Sequence, residues 1–159
     1  MDVFWFFDWL DTSLLADVSK AYGGVFAVVQ MFHLLGLALM GGAVLLSDLR
    51  LLGVLMTNVP SRVVFDNAQR IFTWSLVMLV LSGTFMASAV AIKLYYNEAF
   101  WAKMAGLGLG IIFVYFIRKP LFTRFEHDEI SPLALKATAI CSLVIWFTVA
   151  ASGRWIGFS

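Results

Sequence analysis

The chain has 159 residues, 62% of them hydrophobic and only 13% charged, with a mean hydropathy of +0.91. Soluble domains are about 45–50% apolar, and a chain this short cannot hide so large an excess, so lipid must solvate most of its side chains. A net charge of +1, with no basic stripe or recognition motif, excludes nucleic acid as a partner.

Residues 2–18 place four aspartates among Phe4, Trp5, Phe6, Phe7 and Trp9. The start is acidic and lacks the basic residues and small-residue cleavage site of a secretory signal, so it is expected to stay on the mature protein. Asp11-Thr12-Ser13 can cap a short helix, and tryptophans favour the headgroup region. The segment therefore reads as a short interfacial helix over 2–18, with a docking surface for a partner subunit as the alternative.

Four apolar stretches follow. Gly23 to Ser47 is 25 residues without a charge, Ile71 to Ile92 is 22, Ala99 to Ile117 is 19 interrupted only by Lys103, and Ala137 to Gly153 is 17. A membrane helix needs roughly 17–25 such residues. Pro60, the Tyr95-Tyr96-Asn97-Glu98 turn, Arg118-Lys119-Pro120 and the polar stretch Glu126 to Pro132 punctuate them. These signals predict transmembrane helices over about 22–56, 68–94, 99–118 and 133–156, with short connections that make neighbours antiparallel. The expected class is all-α, an integral membrane four-helix bundle in a single domain.

Seven cationic residues (Arg50, Arg62, Arg70, Arg118, Lys119, Arg124 and Lys136) flank one side of these spans and four (Lys20, Lys93, Lys103 and Arg154) the other. The positive-inside rule then puts both termini on the periplasmic side of a bacterial inner membrane. Cys141, the one cysteine, lies in an apolar run and reads as a buried, inert thiol.

Ionisable groups within a membrane need a reason. His33 lies about 15 Å into the first span, and Lys103 about 6 Å into the third, at roughly 1.5 Å per residue. On the expected orientation both enter from the outer side, so an imidazole and a deprotonated amine from two helices can approach one haem iron. Gly36 and Met40 share the His33 face at i+3 and i+7, and Gly106 and Gly110 repeat that spacing after Lys103. Small residues there permit either close helix contact or an inserted flat ring, whose propionates Arg154, Lys93 or Lys20 can pair. The bland alternatives are an interhelical hydrogen bond from His33 and a Lys103 that snorkels to the headgroups. His127 sits in a charged loop, so a second histidine ligand is not expected. Asp48 and Arg50, two apart on a helix, do not face each other, and Asp48 is expected to pair with Arg70 or Arg118 as an ion-pair lock. The seven methionines are scattered, without the Met-x-x-Met run that Cu(I) favours.

Phe32-His33-Leu34-Leu35-Gly36-Leu37-Ala38-Leu39, Gly41-Gly42, Asp48-Leu49-Arg50-Leu51-Leu52-Gly53, Trp9 to Leu14 and Ala150 to Arg154 together resemble a family of bacterial four-helix membrane proteins known only as a domain of unknown function. The FHLLG start and Phe100-Trp101-Ala102-Lys103-Met104 are more distantly similar to HemJ-type protoporphyrinogen oxidases and CopD-like membrane proteins. The HemJ resemblance implies b haem, with His33 and Lys103 at the functional histidine and lysine positions. Val114-Tyr115-Phe116 stands where that type carries a further histidine, so the resemblance points to haem binding rather than porphyrinogen oxidation. The expected function is a small b-type cytochrome-like subunit exchanging electrons with a redox partner. The alternative is a cofactor-free accessory subunit of a larger membrane complex.

Overall fold

The computed structural model describes residues 3–126 and 131–158, and these form helices and turns without a strand. The loop expectation for His127 lies outside the described residues. Contacts divide the chain into two compact units, Met1–Met40 with Ile71–Glu98, and Gly41–Arg70 with Ala99–Ser159.

In the first unit the N-terminal segment is two short helices rather than one, α1 (Phe4–Asp11) and α2 (Leu14–Ala21). Ser13 causes the break. Its extended backbone leaves the helix, and its hydroxyl accepts from Ala16 N–H at 3.3 Å while donating to the Leu10 carbonyl at 2.6 Å. Lys20 pairs with Asp11 at 2.9 Å across the corner, a partly exposed contact contributing roughly 0–1 kcal/mol. Phe4 and Phe7 set their rings edge-on to Tyr95, at 5.2 and 5.6 Å. Ser19 and Ser88 hydroxyls meet at 3.3 Å, so α2 is held at the end of the second span while α1 packs on the chain that follows it.

The long helices are α3 (Gly23–Leu51), α4 (Ser61–Ser88) and α8 (Pro132–Trp155), together with the run made of α6 (Glu98–Ile112), a π-helical segment (Phe113–Arg118) and α7 (Lys119–Glu126). The short α5 (Ala91–Tyr95) follows α4, and a 3-10 turn (Ile156–Phe158) follows α8. Four stretches, Gly23–Leu51, Ser61–Ser88, Glu98–Arg124 and Pro132–Phe158, are long and apolar enough to cross a membrane. Trp74 (75% exposed), Phe116 (75%) and Phe147 (66%) point outward from three of them, as side chains do when lipid is the solvent. The chain is a multi-pass, all-α membrane protein.

Helix ends depart from the expected ones for identifiable reasons. α3 stops at Leu51, not Met56, because Gly53 adopts φ +80° and closes a Schellman motif, with Val54 N–H on the Leu49 carbonyl (2.9 Å) and Gly53 N–H on that of Arg50 (3.1 Å). α4 starts at Ser61, immediately after Pro60, because its first turns are amphipathic. Val64, Phe65 and Ala68 are buried while Arg62, Asp66 and Arg70 are exposed, a pattern that hydropathy alone overlooks. α4 also ends at Ser88, and after a short turn Ala91–Tyr95 form the separate α5. The third span does not close at Pro120. Its pyrrolidine ring would meet the Phe116 carbonyl in an α-helix, and the wider π turn over Phe113–Arg118 relieves that collision and lets the helix continue. α8 begins at Pro132, with Ser131 as N-cap and the proline in the first turn.

Candidate functional site: a histidine seam and a buried ion pair

Three of the sequence-singled residues, His33, Gly36 and Met40, belong to the first unit; Lys103, Gly106, Gly110 and Arg154 belong to the second. Each set has its own partners.

His33 is half-buried on α3 and faces α4. Its Nδ1 lies 2.8 Å from Ser82 Oγ. Ser82 Oγ also lies 2.6 Å from the Met78 carbonyl, and with its proton donated there Ser82 accepts from His33 Nδ1–H. The ring rests on Gly83, where a Cβ would stand 3.3 Å from Cε1. One turn along α3, a Cβ on Gly36 would meet Met78 Cε at 3.0 Å and Leu79 Cγ at 3.1 Å, and Met40 is buried. This is an interhelical strap of the kind that polar side chains make in membranes.

In the second unit, two stripes of matching period face each other in opposite senses. Lys103, Gly106 and Gly110 on α6 meet Gly153, Val149 and Trp146 on α8. The Lys103 stem lies along α8, with Cδ and Cε 3.5 Å from a Cβ built on Gly153. A Cβ at Gly106 would be 3.0 Å from Val149 Cγ2, and one at Gly110 3.0 Å from the Trp146 ring. Arg154 is exposed, its guanidinium 4.6 Å from the Phe158 ring centre.

These contacts test the fit of a haem. A methyl group at Gly36, Gly106 or Gly110 already meets a neighbour at 3.0 Å, so none of the three leaves room for a rigid macrocycle. Of the two readings that small residues permit, the glycines follow close helix contact. The glycines singled out for a flat ring are each closed by a side chain of a neighbouring helix.

The most concentrated polar chemistry is instead in the second unit. Asp48 is fully buried and Arg118 is 3% exposed, and they are joined by a 2.5 Å contact from Nη2 to Oδ1. The same Nη2 donates to Ser47 Oγ at 2.7 Å, whose own proton goes to the Ala43 carbonyl at 2.7 Å. The Arg118 guanidinium carbon stands 5.2 Å from the Phe65 ring centre, and Phe65 stacks on Phe122 at 4.0 Å and 9°. Leu51, Leu135 and Ala139 complete an apolar cluster around those rings. Ser142, also fully buried, lies beside the Asp48 carboxylate. Arg118 is the last residue of the π segment, so the same irregularity that accommodates Pro120 sets the angle at which Arg118 enters.

Of the two expected partners for Asp48, Arg118 is the one used; Arg70 is exposed. Arg50 turns the other way, as residues two apart on a helix must, and binds the Val59 carbonyl through Nε (3.1 Å) and Nη2 (2.7 Å), bracing the turn after α3. Ser82, Ser47 and Ser142 were not singled out from the sequence. Cys141 is exposed rather than buried, because the outward face of a span meets lipid and an apolar setting does not imply burial.

No curated protein and no solved structure matches this chain. The DUF6644 family, a family of unknown function, matches residues 6–159. With a match over nearly its whole length, on top of the helical architecture above, the chain belongs to the DUF6644 family.

Proposed function

We propose that the protein is an accessory subunit of a larger membrane assembly, acting through its lateral surface, with its internal polar groups devoted to holding its helices. The observation carrying this reading is that Gly36, Gly106 and Gly110 are all in contact with side chains of neighbouring helices, while Asp48 and Arg118 serve each other. What remains for partners is the outside, including Trp5 and Trp9 on α1, both well exposed beside a headgroup-seeking segment. The surplus of cations around Arg62, Lys119 and Arg124 supports a bacterial inner-membrane orientation with periplasmic termini.

One observation favours a second reading. His33 lies within a span with its Nδ1 held by Ser82, and metal-bound histidines commonly have one ring nitrogen held in this way. That reading is a small b-type cytochrome-like subunit with His33 as a haem ligand. The experiment that separates the two is expression in a host supplied with haem precursor, followed by purification and spectroscopy. The accessory reading expects a folded, colourless protein. A Soret band that vanishes in His33→Ala would replace it with the cytochrome reading.

A further inference from the structure

We propose that the Asp48–Arg118 pair encloses one tightly bound water molecule, held by Asp48 Oδ2, Arg118 Nε–H and Ser142 Oγ. The contact between the two residues is one-sided. It uses Oδ1 and Nη2, and Oδ2 and Nε have no hydrogen-bond partner among the described residues. Ser142 Oγ lies beside the same carboxylate without completing a hydrogen bond of good geometry to it. All three side chains are more than nine-tenths buried, so bulk solvent does not serve them. Buried polar groups in proteins are rarely left unserved, and three such atoms on one cluster point to a shared ligand.

The chemistry selects the ligand. Oδ2 needs a donor and Nε–H needs an acceptor, so the ligand must be both. The pair is already neutral, and an added ion would bring an uncompensated charge into a low-dielectric site, which excludes a cation or an anion. Water meets both demands, and three polar partners is the usual number for a buried water. The ligand must also be small, because the Phe65–Phe122 stack lies across the guanidinium and apolar side chains crowd those rings. A water here would turn a single-contact ion pair into a closed ring of hydrogen bonds across α3, the π segment and α8, which is what a lock inside a membrane needs.

The test is a structure of the full chain in lipid nanodiscs at a resolution that shows ordered waters, with Ser142→Val solved beside it. The expected result is one peak within hydrogen-bonding distance of Asp48 Oδ2, Arg118 Nε and Ser142 Oγ. It should be lost in Ser142→Val while the Asp48–Arg118 contact stays. A wild-type structure in which those atoms pair directly with each other, or face apolar side chains with no peak between them, overturns the proposal. Should Ser142→Val fail to fold, NMR exchange between water and the Arg118 Nε proton in the wild-type protein decides. A cross-peak to a slowly exchanging water supports the site, and its absence overturns it.

Discussion

Removing either partner of the Asp48–Arg118 pair leaves a charge stranded among Phe65, Phe122 and Leu51, at a cost of about 3–5 kcal/mol for a buried pair. Asp48→Ala and Arg118→Ala are each expected to lose that much in reversible unfolding from detergent or bicelles. Replacing both with apolar residues of similar volume should recover most of it, because no charge is then left alone. The His33 strap is worth less. Ser82→Ala should cost about 0.6 kcal/mol, and at most about 1.7, the range measured for hydrogen bonds between membrane helices. Nitrogen NMR of His33 in the wild-type protein should report the Nδ1–H form. At this scale the sequence is partly legible. An aspartate in an apolar run has few arginines to choose from, so its partner can be narrowed in advance to Arg70 or Arg118, though not to one of them. Ser47 and Ser82 cannot be foreseen, because a serine in a helix can satisfy itself on its own backbone, as Ser47 does on Ala43 and Ser82 on Met78, and Ser142, which makes no such bond, is one serine among several in an apolar run.

At the scale of elements, the spans can be read from apolar runs and their ends cannot. The start of α4 is masked by its charged face, and the π turn before Pro120 leaves no hydropathy signal. Glycine spacing is ambiguous in the same way. Lys103, Gly106 and Gly110 show a smooth stripe, but whether it receives a ring or a helix depends on Trp146, Val149 and Gly153, some forty residues later. The distinction can be tested within one helix. Gly106→Ala and Gly110→Ala press a methyl against Val149 or Trp146 and should destabilise by about 1–3 kcal/mol, as overpacking does. Gly108→Ala, where a Cβ meets nothing within 4 Å, should be neutral or slightly stabilising by helix propensity. Gly53→Ala, forced to φ +80°, should lose about 1–2 kcal/mol in the same assay.

For the whole molecule, composition alone dictates a membrane protein, and four helices of sufficient length and apolarity bear this out. The cation asymmetry makes a further expectation. Alkaline phosphatase fused after Phe158 should be active, and the same reporter placed in the turn after α3 should be silent. The family has no assigned activity, so function rests on what the interior can hold. The proposal of a structural interior rests on glycines closed by neighbouring side chains and on Asp48 paired with Arg118. The most direct measurement is the absorption spectrum, oxidised and then reduced, of protein purified from cells with ample haem, taken beside its thermal unfolding curve. We expect cooperative unfolding and no Soret or α band. A reduced b-type spectrum that disappears in His33→Ala, in protein that still folds, would contradict the account.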